Sequence, residues 1–482
     1  MGYYLLIFLA SAQVMLIEIM GAKYLAPILG GSQTVWISQI LITLLSLSFG
    51  AFISSKMTLK QSALFLTVSS VYFLLLNLFV SKVVAYVPLD NLLVSSLSLS
   101  LIFYLIPLLA LGVLFPLISL ELMKSGHALG KISFISTIGS VVGTLSTYFI
   151  VLYFTNDIIL LSLAVLLLLY SCALYAYLGQ KKVINAGIAV IVLSFGLSDY
   201  LQSKSSGVST PSNIKVISST NSHFGEITVL EQGQKVIITN DKLVQNSFDK
   251  DSKKSLSLFT YFLSDMPKLY QEKSPKTALV LGLGVGVVSK QLQDEGAEVD
   301  SVEINPAMTA LSKKLLNFEG KVYEEDARTF VMRSSKKYDL IVLDAFLVDN
   351  VPKTLITLEF FNKLKQMLND GGLISINSFG TIPLDIVSSS IIKTLDKAGF
   401  NFKVYSINQW NMFYLLGKEP LVQRRLPFFP EQPESIIPLF LKLADSEIKD
   451  YPNEGKVIYD LDSSLEVLED ISRLQYRKAN KL

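Results

Sequence analysis

Cysteine and histidine are almost missing from these 482 residues: one of the first, Cys172, and two of the second, His127 and His223. A disulfide framework and a thiolate zinc site each need several thiols, so both are excluded, and two histidines rule out most histidine-rich metal centres. Arginine is absent from residues 1–200. That stretch holds only eight lysines (Lys23, Lys56, Lys60, Lys82, Lys124, Lys131, Lys181, Lys182) and five acids (Glu18, Asp90, Glu121, Asp157, Asp199). The net charge of +2 is too small to attract a nucleic acid. A basic leader and a cleavage signal are lacking around the apolar residues 3–17, so the start reads as a first spanning helix rather than a removed signal peptide.

What is present is apolar. The chain is 51% hydrophobic with a mean hydropathy of +0.47. From about residue 203 the charge density becomes that of an ordinary globular protein, so a membrane half joined to a soluble half is expected. Seven runs reach the roughly 20 apolar residues a span requires: 3–22, 34–55, 62–82, 95–119, 132–154, 157–178 and 183–200. Ser136, Gly139, Ser140 and Gly143 put small side chains at helical spacing, which suits close helix packing. Glu18 lies inside the first run, where a carboxylate is costly; its two readings are a functional group and an interfacial partner of Lys23. The lysines at 56 and 60, 124 and 131, and 181 and 182 fall in alternate loops, which the positive-inside rule places in the cytoplasm. Seven crossings would then put the soluble half outside, whereas its expected chemistry calls for the cytosol.

In the second half the spacing predicts a hairpin from "GEITVLE" and "KVIITND", then a helix over 252–264. Strands and helices alternate from there. "TALVLGL" (277–283) leads into a helix over 287–295, and "EVDSVEI" (298–304) into a helix over 306–316. A strand at 321–324 precedes a helix over 327–334, and "YDLIVLDAF" (338–346) precedes a helix over 358–372 and the strand "LISINSF". Continuous apolar strands alternating with helices imply a parallel sheet covered on both faces. The turn Gly282, Gly284, Gly286 follows a strand and opens a helix, so its backbone N–H groups can face a ligand. Glu303 ends the next strand, where an acid can accept hydrogen bonds from ribose hydroxyls. Asp326 and Ala327 follow the third strand and Asp344 ends the fourth. All sit at the carboxyl edge, where open α/β sheets bind ligands. Together they indicate an adenosyl ligand.

The stretches "SHFGEITVLE", "VLGLGVG", "VEINPAM", "EEDARTFV" and "VPKTLITLEFFNKLKQMLNDGGLISIN" resemble the spermidine synthase family. The apolar half, with "LIEIMGAKYLAPILGGSQTVW", "LGVLFPL" and "GKISFISTIGSVVG", resembles its membrane-fused members. The resemblance implies a multi-span α-helical membrane domain plus an α/β Rossmann-like soluble domain of the class I methyltransferase and spermidine synthase type, with a small N-terminal β-hairpin subdomain. The expected domains are 1–202 (membrane), 203–250 (small β), 251–420 (adenosyl-binding core) and 421–482 (extension). It further implies that Gly282, Gly284 and Gly286 border the nucleoside, Glu303 holds the ribose, and Asp326 and Ala327 meet the adenine. Gln245 would face the shared pocket, and Asp344 matches the first catalytic acid. The co-substrate would be decarboxylated S-adenosylmethionine or S-adenosylmethionine, with no metal. The partners would be a lipid bilayer, an amine or membrane-associated acceptor and, by analogy with soluble members, further copies of the chain.

The departures fall where a polyamine would bind. Val285 stands where the family turn carries an acid that anchors the donor's amine. Leu347 occupies the position of a second catalytic acid, for which Asp349 is the substitute two residues on. "FTYFLSDMP" (259–267) lacks the family's His-Glu pair. Three functions stay open: an aminopropyl transferase using Asp344 and Asp349, a methyltransferase with a membrane-associated substrate, and an adenosyl-metabolite sensor or transporter in which Glu18 matters most. In the final segment, Asp460 and Asp462 belong either to a closure over the site or to a solvated acidic face.

Overall fold

The computed structural model describes residues 2–29, 33–87, 91–153, 156–180, 214–241, 243–345, 352–406, 411–427, 429, 431–451 and 454–460. The chain divides into two compact units, Met1–Ser212 and Asn213–Leu482.

The first unit is helical: α1 (Gly2–Leu29), α2 (Gln33–Ser54), α3 (Leu59–Tyr86), α4 (Leu92–Lys124), α5 (Leu129–Tyr153) and α6 (Asn156–Tyr177). Among the described residues five stretches are long and apolar enough to cross a membrane: Gly2–Ala26, Gln33–Ser54, Leu59–Leu76, Leu92–Lys124 and Leu129–Ile150. Leu161–Tyr177 is a shorter apolar helix. The expected run at 183–200 lies outside the described residues. Helix α3 begins three residues before the expected run because Thr58 and Gln61 form a reciprocal cap. Thr58 N donates to Gln61 Oε1 at 2.8 Å, and Gln61 N donates to Thr58 Oγ1 at 3.3 Å. Asn91 caps α4 in one direction, its side chain accepting from Val94 N at 3.1 Å. The small residues of α5 face α1. A Cβ on Gly139 or Gly143 would lie 2.3 Å from the carbonyl oxygen of Phe8 or Ala12, and Ser136 Oγ is 2.8 Å from Ser11 Oγ. Backbones approach this closely only where side chains are nearly absent.

The second unit begins with an antiparallel sheet of four strands, not one hairpin: β1 (Ile214–Ser222), β2 (Gly225–Gln232), β3 (Lys235–Asn240) and β4 (Leu243–Asp249). Helix α7 (Leu258–Asp265) starts later than expected. The chain before it is held in a turn, where Asp249 Oδ1 accepts from Ser252 N at 2.8 Å and Phe248 bridges Ser255. The core then runs β5 (Thr277–Leu281), α8 (Val287–Asp294), β6 (Glu298–Val302), α9 (Pro306–Leu316), β7 (Lys321–Tyr323), α10 (Ala327–Arg333) and β8 (Tyr338–Leu343). It continues through α11 (Leu358–Gln366), β9 (Leu368–Phe379), α12 (Ile386–Lys397), β10 (Asn401–Tyr405), β11 (Asn411–Gly417), α13 (Ile437–Ala444) and β12 (Glu447–Ile448). Helix α11 stops at Gln366, short of the expected 372, because the strand that follows already pairs Leu368 with Tyr338.

The eight-stranded sheet has the order β12-β10-β11-β9-β8-β5-β6-β7. The five expected strands, β5 to β9, pair in parallel, and β10, β11 and β12 add an antiparallel edge that was not expected. Alternate residues of the central strands enter opposite cores. Leu279, Leu281, Ile341 and Leu343 pack with Phe360, Phe361 and Ile391, while Ala278, Val280, Leu340 and Val342 pack with Phe262, Leu292 and Phe440. Both faces are thus covered by helices, which is why these strands read as unbroken apolar runs. Part of the expected separate extension, from 421 onward, belongs to this core: β12 pairs with β10, and Leu358 N donates to Ile458 O at 2.8 Å.

Candidate functional site at the carboxyl edge of the sheet

Strand order reverses between β5 and β8, so the loops after these strands diverge and leave a crevice. The turn after β5 fits there only because of its glycines. Gly282 has φ +93°, and a Cβ on it would lie 2.3 Å from the carbonyl oxygen of Asp344. Gly284 has φ +52° with open space around it. Both line a cavity of about 470 Å³. Gly286 does not: it caps α8 with φ +86°, facing Ser312.

Glu303, after β6, is buried beside this turn. Its carboxylate accepts from Gly284 N at 2.9 Å and from Asn305 N at 2.8 Å. Burial pushes its carboxyl above the ordinary range, against the pull of the backbone N–H groups of Asn305, Gly284, Leu283 and Ile304. Asn305 caps α9 and its Nδ2 donates to Ser222 Oγ at 3.1 Å, which ties β1 to the core. Asp326 caps α10, accepting from Thr329 N at 2.8 Å, and lines the cavity with Ala327. Glu325 beside them is ion-paired with Arg333.

Asp344 closes the other side of the crevice. Its N–H donates to Leu281 O at 2.9 Å, extending the β5–β8 ladder by one bond. Burial pushes its carboxyl up to about 7, Asn377 Nδ2 at 2.9 Å draws it down, and the Glu303 charge adds to the rise. Sequence reasoning missed Asn377. The available signal was a polar residue ending the apolar run "LISI", in the strand next to Asp344. Leu343 pairs with Ile376, so Asn377 falls level with Asp344. Asn377 Oδ1 is buried and has no donor among the described residues.

The small sheet forms a roof over the cavity through Phe224, Asn240, Val244, Gln245 and Asn246. Val285 touches the cavity but is only 3% exposed, and it packs with Ile227, Val229, Ile238 and Phe248 beneath that roof. It therefore joins the small sheet to the core, a role that an acid at this position would break. Asp349 and Asp462 lie outside the described residues. Asp460 pairs with Arg328, which also reaches Thr357 Oγ1 at 3.2 Å. Among the described residues no group of three or more His, Cys, Asp or Glu side chains is arranged to hold a metal.

A glycine turn, a following acid and a ligand crevice at the switch point of a doubly wound sheet define a class I S-adenosylmethionine-type fold. Residues 258–409 match the family model of the spermine/spermidine synthase domain. The polyamine aminopropyltransferase of Vibrio vulnificus is 30% identical over 170 residues, 33% of this chain and 57% of that enzyme. The N-terminal histidine N-methyltransferase of Emericella nidulans is 37% identical over 121 residues, 24% of this chain and 22% of that protein. A probable spermidine synthase from Corynebacterium glutamicum has a TM-score of 0.39 at 14% identity, with 46% of this chain and 84% of that one covered. The chain spans little more than half of the first relative and less of the second. The second unit thus carries a stretch similar to the spermine/spermidine synthase domain, on a class I S-adenosylmethionine-type fold.

Proposed function

We propose that the chain is a membrane-bound transferase that moves an aminopropyl group from decarboxylated S-adenosylmethionine to an amine. The observation that carries this reading is Asp344, a carboxyl pushed up to about 7 at the edge of a cavity it shares with the glycine turn and Glu303. A base of that pKa works near neutral pH. The nitrogen lone pair of the acceptor forms the new bond to the carbon beside the sulfonium. The carbon–sulfur bond breaks, its electrons return to sulfur as a neutral thioether, and the excess proton on nitrogen passes to Asp344. Glu303 would hold the ribose, Asp326 and Ala327 the adenine edge, and Gln245 the roof side of the occupant. Asp349 would add an anchor for the amine. Helices α1–α6 would span a lipid bilayer, with the second unit in the cytoplasm.

Methyl transfer from intact S-adenosylmethionine is the second reading. Val285 favours it, because no carboxylate stands at that turn position to anchor a lone amine. Calorimetry on the full-length protein in detergent separates the two. The expected result is tighter binding of the decarboxylated donor; preference for the intact donor selects methyl transfer, and binding of neither removes both.

A further inference from the structure

The charged side chains along the cavity are all acidic and unevenly placed. Glu325 and Asp326 follow β7, Glu303 follows β6, and Asp344 follows β8. Beyond Asp344 the described wall carries no charge: β9 contributes Asn377 and Phe379 and β11 contributes Asn411, while Phe224 and Phe259 are the cavity's other two rings. A second ammonium in that end would lose its water without gaining a carboxylate from any described residue, which is unfavourable for a buried ion. An apolar or aromatic body would instead gain by being buried against the rings. The orphaned Asn377 Oδ1 favours a donor, since leaving a buried acceptor unpaired is costly.

We infer that the acceptor is a monoamine with an uncharged, apolar or aromatic body. Its nitrogen meets Asp344 and donates to Asn377 Oδ1, and its body lies against Phe224, Phe259 and Phe379. Asn377 is then the specificity-determining residue, a neutral partner where a carboxylate would admit a dication. This rests on the transferase reading and names the substrate class of the same site.

The test uses full-length protein in detergent with decarboxylated S-adenosylmethionine, following release of the thioether. Butylamine and phenethylamine are compared with putrescine. The expected kcat/KM is at least about tenfold higher for a monoamine. Asn377→Asp is expected to move that ratio toward putrescine by about tenfold or more, with calorimetric donor binding retained as the check on folding. Putrescine equal or better overturns the inference while leaving the transferase reading intact, and loss of that turnover in Asp349→Asn would identify the second carboxylate. An unchanged ratio in Asn377→Asp overturns it as well. Donor binding without turnover of any amine overturns the inference and the aminopropyl reading together.

Discussion

Asp344 must stay buried to have a useful pKa, and that burial works against the fold. Its carboxyl lies well above the ordinary range, at about 7, so the folded state keeps a proton that the unfolded chain releases. Stability therefore falls as pH rises from the ordinary carboxylate range to about 7, and levels off above it. The fall is on the order of 2–4 kcal/mol. Asp344→Asn removes this slope, which denaturant titrations at several pH values will show. The same substitution lowers kcat by roughly 100- to 10,000-fold, with donor affinity nearly unchanged. In the parent protein kcat/KM rises with pH through about 7 as the base form fills. Gly282 tests the opposite wall. Gly282→Ala combines a positive φ with a Cβ 2.3 Å from a backbone oxygen, so it costs about 3 kcal/mol or more and abolishes donor binding. A thermal melt with calorimetry reads both, and unaltered stability would refute the close approach. Glu303, Asp326 and Asp344 were legible because each ends a strand in a repeating unit. Asn377 was not, because its role depends on which strand lies beside β8, and strand order is a long-range property.

At the level of elements, pattern and capping explain what could be read. The central strands β5, β6 and β8 appeared at nearly their true limits, since both faces are buried and the apolar run is continuous. The errors lie where a local contact overrides the pattern. Asp249 and the Phe248–Ser255 bridge delay α7, and pairing of Leu368 with Tyr338 ends α11 early. The antiparallel edge of β10, β11 and β12 escaped notice because antiparallel partners need no crossover helix to announce them. Val285 shows the same limit in chemistry. In sequence it is a missing acid; in the fold it is the contact that seats the small sheet on the core. Val285→Asp is accordingly expected to destabilise by about 2–4 kcal/mol and to leave affinity for the decarboxylated donor no better. Tighter donor binding with an unchanged melting temperature would show that the position is an anchor site rather than a packing site.

For the whole molecule, the membrane-bound reading turns on the number of crossings, and the lysines limit it. Lys56 lies between α2 and α3, Lys131 follows the turn between α4 and α5, and Lys181 and Lys182 follow α6. If all three loops were in the cytoplasm, α2, α4 and α6 would run inward, and six crossings, with the shorter helix α6 counted as one, would place the second unit in the cytosol. A seventh crossing within 183–200 would reverse that placement. The chain offers a clean test because Cys172 is its only cysteine. In a Cys172→Ser background, Ser55→Cys, Ser125→Cys and Ser252→Cys are each expected to resist a membrane-impermeant maleimide in intact cells and to react after permeabilisation. Asn91→Cys, between α3 and α4, is expected to react from outside. Protection of Ser55→Cys with outside labelling of Ser252→Cys would mean an odd number of crossings, and a transferase fed from the cytosol would then be ruled out by geometry alone.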